Sequence, residues 1–162
     1  MTDNDASKSS SRMTAPHIPS AGTAGTEEAV AAVKEVSSQL YDFLGVPGTA
    51  SAPGPGIREC QGKDPNTYFQ VYHPWNFLPT SSADINTAMA NLKAKLSTDG
   101  WTLKDTYHDN SPNKNPNLIA DNNSRMVSVW SVMYGKRDTP SIGIEVRSGC
   151  YRVPEGQTVD HS

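Results

Sequence analysis

Two cysteines constrain the fold of this chain more than any other feature. Cys60 and Cys150 are the only cysteines among its 162 residues, and 90 positions separate them. Neither lies in a CxxC motif or beside a histidine at metal-ligand spacing, so the pattern does not indicate a zinc site. We expect Cys60 and Cys150 to form a disulfide, which closes a loop long enough to stabilise the fold by about 4 to 5 kcal/mol. The alternative is two unrelated buried thiols in a reducing compartment.

The polar N-terminus predicts a disordered tether over residues 1–25. This segment is rich in Ser, Ala, Thr and Gly, carries balanced charge and lacks the apolar run of a signal peptide. The residues after Pro154 are predicted to form a second flexible segment, 155–162. Between these ends, residues 26–154 are expected to fold as a single domain, because that length is sufficient to bury one core.

Two segments have helical periodicity. The first, Thr26 to Leu44, repeats apolar residues near every 3.6 positions and stops at Gly45, which suits a left-handed C-terminal residue. The second begins at Ser81 or Ser82 and precedes Gly100. Its apolar stripe consists of Ile85, Met89, Leu92 and Leu96.

Strand periodicity dominates the rest of the chain. Pro74 and Pro79 predict that the second strand is irregular or lies at a sheet edge, and the last three strands predict a meander. Few helices among runs of strands are typical of an α+β fold. We therefore expect an antiparallel sheet of about five or six strands with the two amphipathic helices packed on one face. The predicted strands are 57–61, 67–77, 101–108, 118–121, 125–134 and 141–147.

Composition and missing motifs disfavour several classes of function. Fourteen Lys and Arg against 17 Asp and Glu give a net charge of −3, which provides no strong attraction to nucleic acid or an anionic membrane. The chain contains no phosphate-binding glycine loop, calcium-binding loop or GxSxG nucleophile motif. We therefore expect no cofactor and no metal, and assign no catalytic residue. His73 or His108 could act as a base in a small hydrolase, although both positions are typical of ordinary surface histidines.

The densest group of aromatic residues lies in one predicted strand and the turn after it. Aromatic side chains line ligand grooves and interfaces, because they bury a large area at low entropic cost and keep a polar group at their edge. The same pattern is typical of an ordinary sheet core. The candidate ligand-binding residues are Tyr68, Tyr72, Trp75 and Phe77.

Five short motifs occur between residues 26 and 154. They are LGVPG at 44–48, PGPGIREC at 53–60, HPW at 73–75, DGW at 99–101 and SGCYRVP at 148–154. In this combination the chain resembles small secreted or lipid-anchored envelope proteins of actinomycetes. The resemblance carries no established activity and no catalytic residue. It implies an extracytoplasmic location, with any lipid anchor on a segment outside this chain.

These observations lead to one hypothesis and two alternatives. The hypothesis is a non-enzymatic, monomeric domain of the cell envelope that binds an unknown protein, a glycan or a small ligand through an aromatic surface. The first alternative is a small hydrolase. The second is a cytosolic regulatory or inhibitor domain in which both cysteines stay reduced.

Overall fold

The protein has a mixed α+β fold built from one curled sheet and two α-helices. A computed structural model describes residues 18–51 and 53–161. The helices are α1 (Thr26–Leu44) and α2 (Ile85–Lys95), and a short 3-10 turn (Ser82–Asp84) precedes α2. The strands are β1 (Ser20–Thr23), β2 (Gly48–Ala50), β3 (Gly56–Arg58), β4 (Tyr68–Pro79), β5 (Trp101–His108), β6 (Pro116–Asn122), β7 (Val127–Tyr134), β8 (Ser141–Ser148) and β9 (Cys150–Arg152).

The sheet has more strands than expected, and its strands are not all antiparallel. Its order is β1-β9-β4-β8-β7-β6-β5, and β2 and β3 add to β4. The pairing of β1 with β9 is parallel, whereas the remaining pairs are antiparallel. The expectation of five or six strands was wrong because β1, β2 and β9 have only three or four residues, too few for a visible alternation. The predicted three-strand meander is confirmed as β6, β7 and β8.

Helix α1 forms where the periodicity predicts it. Glu27 and Glu28 lie in its first turn, where the helix dipole favours negative charge. Gly45 follows the last turn with φ 65°, and a Cβ there would lie 2.9 Å from the Asn91 amide nitrogen on α2. The N-cap residue of α1 is Gly25. The buried stripe of α1 consists of Ala29, Val33, Val36, Ser37, Leu40 and Leu44.

Both helices contact the same side of the sheet, which we call the helix face. Helix α1 packs on β4 and β8, and α2 packs on α1 and β8. The Asn91 side-chain amide donates to the Leu44 carbonyl at 2.9 Å and so fixes α2 to the end of α1. Because side chains alternate along a strand, the opposite side of the sheet presents a second set of residues. We call that side the open face.

Strand β4 tolerates Pro74 at its centre because of how its edges are paired. Val71 donates its backbone N–H to the Ser148 hydroxyl on the β8–β9 edge, whereas Asn76 donates to the Ser51 hydroxyl on the opposite edge. By alternation, the nitrogen of Pro74 points to the same edge as that of Asn76. Among the described strands, β3 pairs with that edge only up to Tyr72 and β2 only from Phe77. No described strand pairs with this edge of β4 at Pro74, so the absence of an N–H on the proline costs no hydrogen bond between strands.

The folded domain extends beyond residues 26–154 at both ends. Residues 1–17 of the expected tether lie outside the described residues, but β1 belongs to the sheet and its Ala21 is buried. At the other end Val159 is buried, and its N–H donates to the Asn66 carbonyl at 2.9 Å. Single apolar residues within polar segments give no periodic signal, so the sequence did not reveal either extension.

Cys60 and Cys150 form the expected disulfide, with their Cα atoms 6.1 Å apart. The bond joins the segment after β3 to the first residue of β9. Such bonds persist in oxidising compartments, so the disulfide is consistent with an extracytoplasmic location. Within the described residues, no helix has the length and hydropathy that crossing a bilayer would require.

Reducing the disulfide should lower the free energy of unfolding by about 4 to 5 kcal/mol, because the unfolded chain regains the entropy of a 90-residue loop. Urea unfolding with and without a reductant measures the difference. The double variant Cys60→Ser, Cys150→Ser serves as the control and should unfold identically in both conditions. Equal stability of the oxidised and reduced protein would contradict the expectation.

Candidate functional site

The four aromatic residues singled out from the sequence do not form one surface. Trp75 and Phe77 point to the helix face, where they are 5% and 0% exposed. The Phe77 ring lies edge-on to the Tyr41 ring of α1, with centroids 5.8 Å apart. The structure therefore places Trp75 and Phe77 in the core.

Tyr68 and Tyr72 lie on the open face and are half-buried. The guanidinium of Arg58 is 4.1 Å from the centroid of the Tyr72 ring, and the ammonium of Lys63 is 4.7 Å from that of Tyr68. Cations of this chain already occupy a face of each ring. These two tyrosines hold β3 and the following loop against β4.

A groove of about 440 Å³ crosses the open face where β4, β8 and β7 run side by side. We call it the open-face groove. Its lining combines two half-buried aromatic rings with an amide, a carboxylate and proline rings. The residues that contribute these groups are Trp130, Tyr134, Asn76, Glu145, Pro53 and Pro74.

Gly143 on β8 lines this groove at its centre strand. It pairs with Asn76 on one side and with Val132 on the other, so it lies in the middle of a row across the sheet. A Cβ at this position would lie 3.3 Å from the Tyr134 ring and 3.4 Å from the Asn76 side-chain oxygen. Both side chains therefore lean into the space that the glycine leaves empty.

A hydrogen-bond chain fixes the orientation of Trp130. Its indole N–H donates to the Asn117 side-chain oxygen at 2.7 Å. The amide nitrogen of Asn117 donates in turn to the Asp109 carboxylate at 3.2 Å and to the Asn115 carbonyl at 2.9 Å. The indole ring is thus held at the groove by a network that reaches the β5–β6 loop.

Asp109 organises that loop. Its carboxylate accepts hydrogen bonds from the backbone N–H of Ser111 at 3.0 Å and of Asn115 at 3.1 Å, and from the Ser111 hydroxyl. Partial burial acts to raise the pKa of Asp109, but the hydrogen bonds from Ser111, Asn117 and Asn115 outweigh it and lower the pKa below the ordinary value. The loop is therefore built around an ionised carboxylate.

The charged groups near the groove are paired with neighbours on the same face. The Arg147 Nε–H donates to the Glu145 carboxylate at 2.8 Å. The Arg137 guanidinium lies 3.9 Å from the centroid of the Tyr134 ring. One face of the Tyr134 ring is therefore covered by a cation. The Glu145 carboxylate can still accept a hydrogen bond from a further donor.

The two histidines considered as bases lie in different settings. His108 is exposed at the end of β5. His73 is half-buried on the helix face, with Nδ1 2.7 Å from the Ser37 hydroxyl and Nε2 3.0 Å from the Pro53 carbonyl. It lines a cavity of about 310 Å³ between α1 and β4, which we call the helix-face cavity.

The open-face groove depends on residues that the sequence prediction did not select. Trp130, Val132 and Tyr134 alternate along β7, which places them on one face, and that signal was available. The pairing of Gly143 with Asn76 on β4 was not, because alternation does not identify which distant strands are neighbours. In the part of the chain that the structure describes, no three His, Cys, Asp or Glu side chains are grouped so that they could hold a metal ion.

Comparison with protein-family models, with curated proteins and with solved structures finds no match to this chain. The groove and the helix-face cavity are therefore the features from which a function can be inferred.

Replacing Asp109 with Asn should destabilise the fold by about 2 kcal/mol at pH 7, because the loop loses hydrogen bonds to a charged acceptor. The pKa of Asp109 is lowered in the folded state, so its contribution is complete above the ordinary pKa of about 4 and is lost as the pH falls through the folded value. The difference in unfolding free energy between wild type and Asp109→Asn should therefore shrink in acid.

Urea unfolding of both proteins between neutral and acidic pH tests this expectation. Asp138→Asn, which changes an exposed residue of the β7–β8 turn, is the matched control. It should leave the stability within about 0.5 kcal/mol of wild type. A pH-independent difference for Asp109→Asn would show that the carboxylate charge is not what organises the loop.

Proposed function

We propose that this protein is an extracytoplasmic binding domain of the cell envelope, and that a glycan binds in its open-face groove on Trp130 and Tyr134. The observation that carries the proposal is the lining of the groove, in which two aromatic rings stand beside the Glu145 carboxylate and the Asn76 amide. Binding sites of this size hold their ligands by apolar contact and orient them with a few polar groups.

The chemistry of the lining favours a sugar over a purely apolar ligand. A sugar ring has an apolar face that can lie on an aromatic ring and hydroxyl groups that both donate and accept hydrogen bonds. Glu145 supplies acceptor oxygens, and Asn76 supplies both an acceptor and donors. The Ser51 hydroxyl, which accepts from the Asn76 backbone N–H at 2.9 Å, retains its own proton for a further acceptor.

The surface presents little exposed apolar area to which a protein partner could bind. Tyr41, at 36% exposure, is the one large hydrophobic side chain that is exposed among residues 18–51 and 53–161. Docking faces for proteins usually present a contiguous apolar patch larger than a single side chain. A ligand with many hydroxyl groups suits the groove better.

The envelope location is part of the same proposal. It is supported by the disulfide, which suits an oxidising compartment, and by the resemblance of motifs such as HPW at 73–75 to envelope proteins. The polar N-terminal segment provides a spacer between the domain and a membrane or wall.

Trp130→Ala and Tyr134→Ala should each weaken glycan binding at least about tenfold, a loss of roughly 1.4 kcal/mol, because the stacking surface is removed. An oligosaccharide array identifies the ligand, and titration of that oligosaccharide by tryptophan fluorescence measures affinity. Trp75 and Trp130 both line the groove, so a change in emission of the wild type reports occupancy of the groove. For Trp130→Ala, calorimetry replaces fluorescence.

Tyr72→Ala is the matched control, since Tyr72 is an aromatic residue of the same face outside the groove lining. It should bind as the wild type does. Absence of binding to any oligosaccharide of the array, or unchanged affinity of both groove variants, would overturn the proposal. Weakening by Tyr72→Ala alone would move the site to the β3 side of the open face.

The intact mass of the protein isolated from its native host tests the location. We expect a species lighter than the reduced chain by two hydrogens, because the Cys60–Cys150 bond would form outside the cytosol. Additional lipid mass at the N-terminus would identify an anchored form. A fully reduced, unmodified chain recovered under thiol-blocking conditions would contradict the envelope location.

A further inference from the structure

The helix-face cavity contains a serine–histidine pair that the glycan proposal does not use. We infer that Ser37 is a nucleophile activated by His73, and that the cavity hydrolyses small carboxylic esters. The pair is formed by the fold alone, since the two residues are 36 positions apart and lie on α1 and β4. This inference goes beyond the proposed binding function and does not depend on it.

The hydrogen bonds around His73 define which nitrogen carries the proton. Its Nε2 lies 3.0 Å from the Pro53 carbonyl oxygen, and a carbonyl oxygen can only accept, so Nε2 carries the hydrogen. In the neutral ring Nδ1 is then the acceptor. The Ser37 hydroxyl, 2.7 Å away, must donate to it. This is the arrangement of a nucleophile and its base, in which a third group orients the base.

The hydroxyl of Ser37 does not make the local bond that is common for serine in a helix. Helical serines often donate back to the carbonyl four residues earlier, and Ser97, in the turn that follows α2, makes the same bond to the Lys93 carbonyl at 3.2 Å. The Ser37 hydroxyl bonds to the imidazole instead. A helical serine is thus bonded directly to a general base.

Burial keeps that base unprotonated at neutral pH. Desolvation lowers the pKa of His73 below its ordinary value, and the nearby Lys34 ammonium lowers it further, against an opposing effect of the hydrogen bond to Pro53. A neutral imidazole can accept the serine proton. Lys34 and Tyr41 are the other titratable groups that line the cavity.

The cavity has room for a carbonyl substrate beside the Ser37–His73 pair. Its volume of about 310 Å³ suits an ester with a short acyl chain, and Ser37, His73 and Trp75 all line it.

The reaction balances without a cofactor. The Ser37 oxygen forms a bond to the acyl carbon while its proton moves to Nδ1 of His73. The carbon–oxygen bond of the ester breaks, and the departing alcohol takes the proton from His73. Water then attacks the acyl-serine, His73 accepts a proton from that water, and Ser37 regains a proton as the carboxylic acid leaves.

An alkyl fluorophosphonate tests the nucleophile without knowledge of the natural substrate. The Ser37 oxygen should form a bond to phosphorus as the phosphorus–fluorine bond breaks, fluoride leaves and His73 takes the proton. Mass spectrometry of the full oxidised chain should show one adduct, and peptide mapping should place it on Ser37. The unfolded protein should not react.

Three variants give the matched comparison. Ser37→Ala should abolish the adduct, and His73→Gln should slow labelling at least about a hundredfold, the size of a lost general base. Ser38→Ala removes a neighbouring hydroxyl of the same cavity and should label at the wild-type rate. The same ranking is expected for p-nitrophenyl acetate hydrolysis.

Peptide mapping of the wild type decides the question even if a variant fails to fold. No adduct on folded wild type, or an adduct on a residue other than Ser37, overturns the inference. An unchanged rate for folded His73→Gln also overturns it. Glycan binding is measured on Trp130→Ala and Tyr134→Ala, whereas labelling is measured on Ser37→Ala and His73→Gln, so failure of the glycan proposal and failure of the esterase inference remain distinguishable.

Discussion

Strand β4 is hydrogen-bonded along both edges, and the core and both candidate sites depend on this arrangement. One edge pairs with β8 and β9, and the other with β2 and β3. Because side chains alternate over its 12 residues, one face of the strand contributes to the core under the helices and the other to the groove. The helix-face cavity and the open-face groove are consequently separated by the thickness of a single strand, and Ser51 and Trp75 line both.

Local sequence patterns predicted much of the architecture. They did not predict the strands that form only by pairing with segments distant in sequence. The bounds of α1 and the β6–β7–β8 meander follow from periodicity, the Gly45 stop and the turn residues. Strands β1 and β9 exist because β9 pairs with β1 on one edge and with β4 on the other, and their few residues carry no independent preference for a strand. Pro74 argued for an edge or an irregular strand. It is accommodated because the described strands leave one edge of β4 unpaired at that point.

The candidate site was harder to predict than the fold. Tyr68 and Tyr72 lie on one face of β4, whereas Trp75 and Phe77 lie on the other. Aromatic residues that are close in sequence therefore occupy two different environments. Which face meets the helices is decided by tertiary packing. The groove is lined by Gly143, which lies between β4 and β7, two strands that are distant from each other in sequence. The Ser37–His73 pair likewise joins a helix to a strand. Alternation identifies faces, but it does not identify neighbours.

The disulfide has a further consequence for how long the domain survives as one covalent unit. The interval between Cys60 and Cys150 contains the β5–β6 loop, whose residues 110 and 112–114 are exposed. Exposed loops of this kind are where proteases cleave. A single cut there would separate β4 from β7 in the peptide backbone, yet the sulfur bridge would keep both fragments attached. A nicked molecule would therefore still carry both walls of the groove, and only reduction would release the pieces.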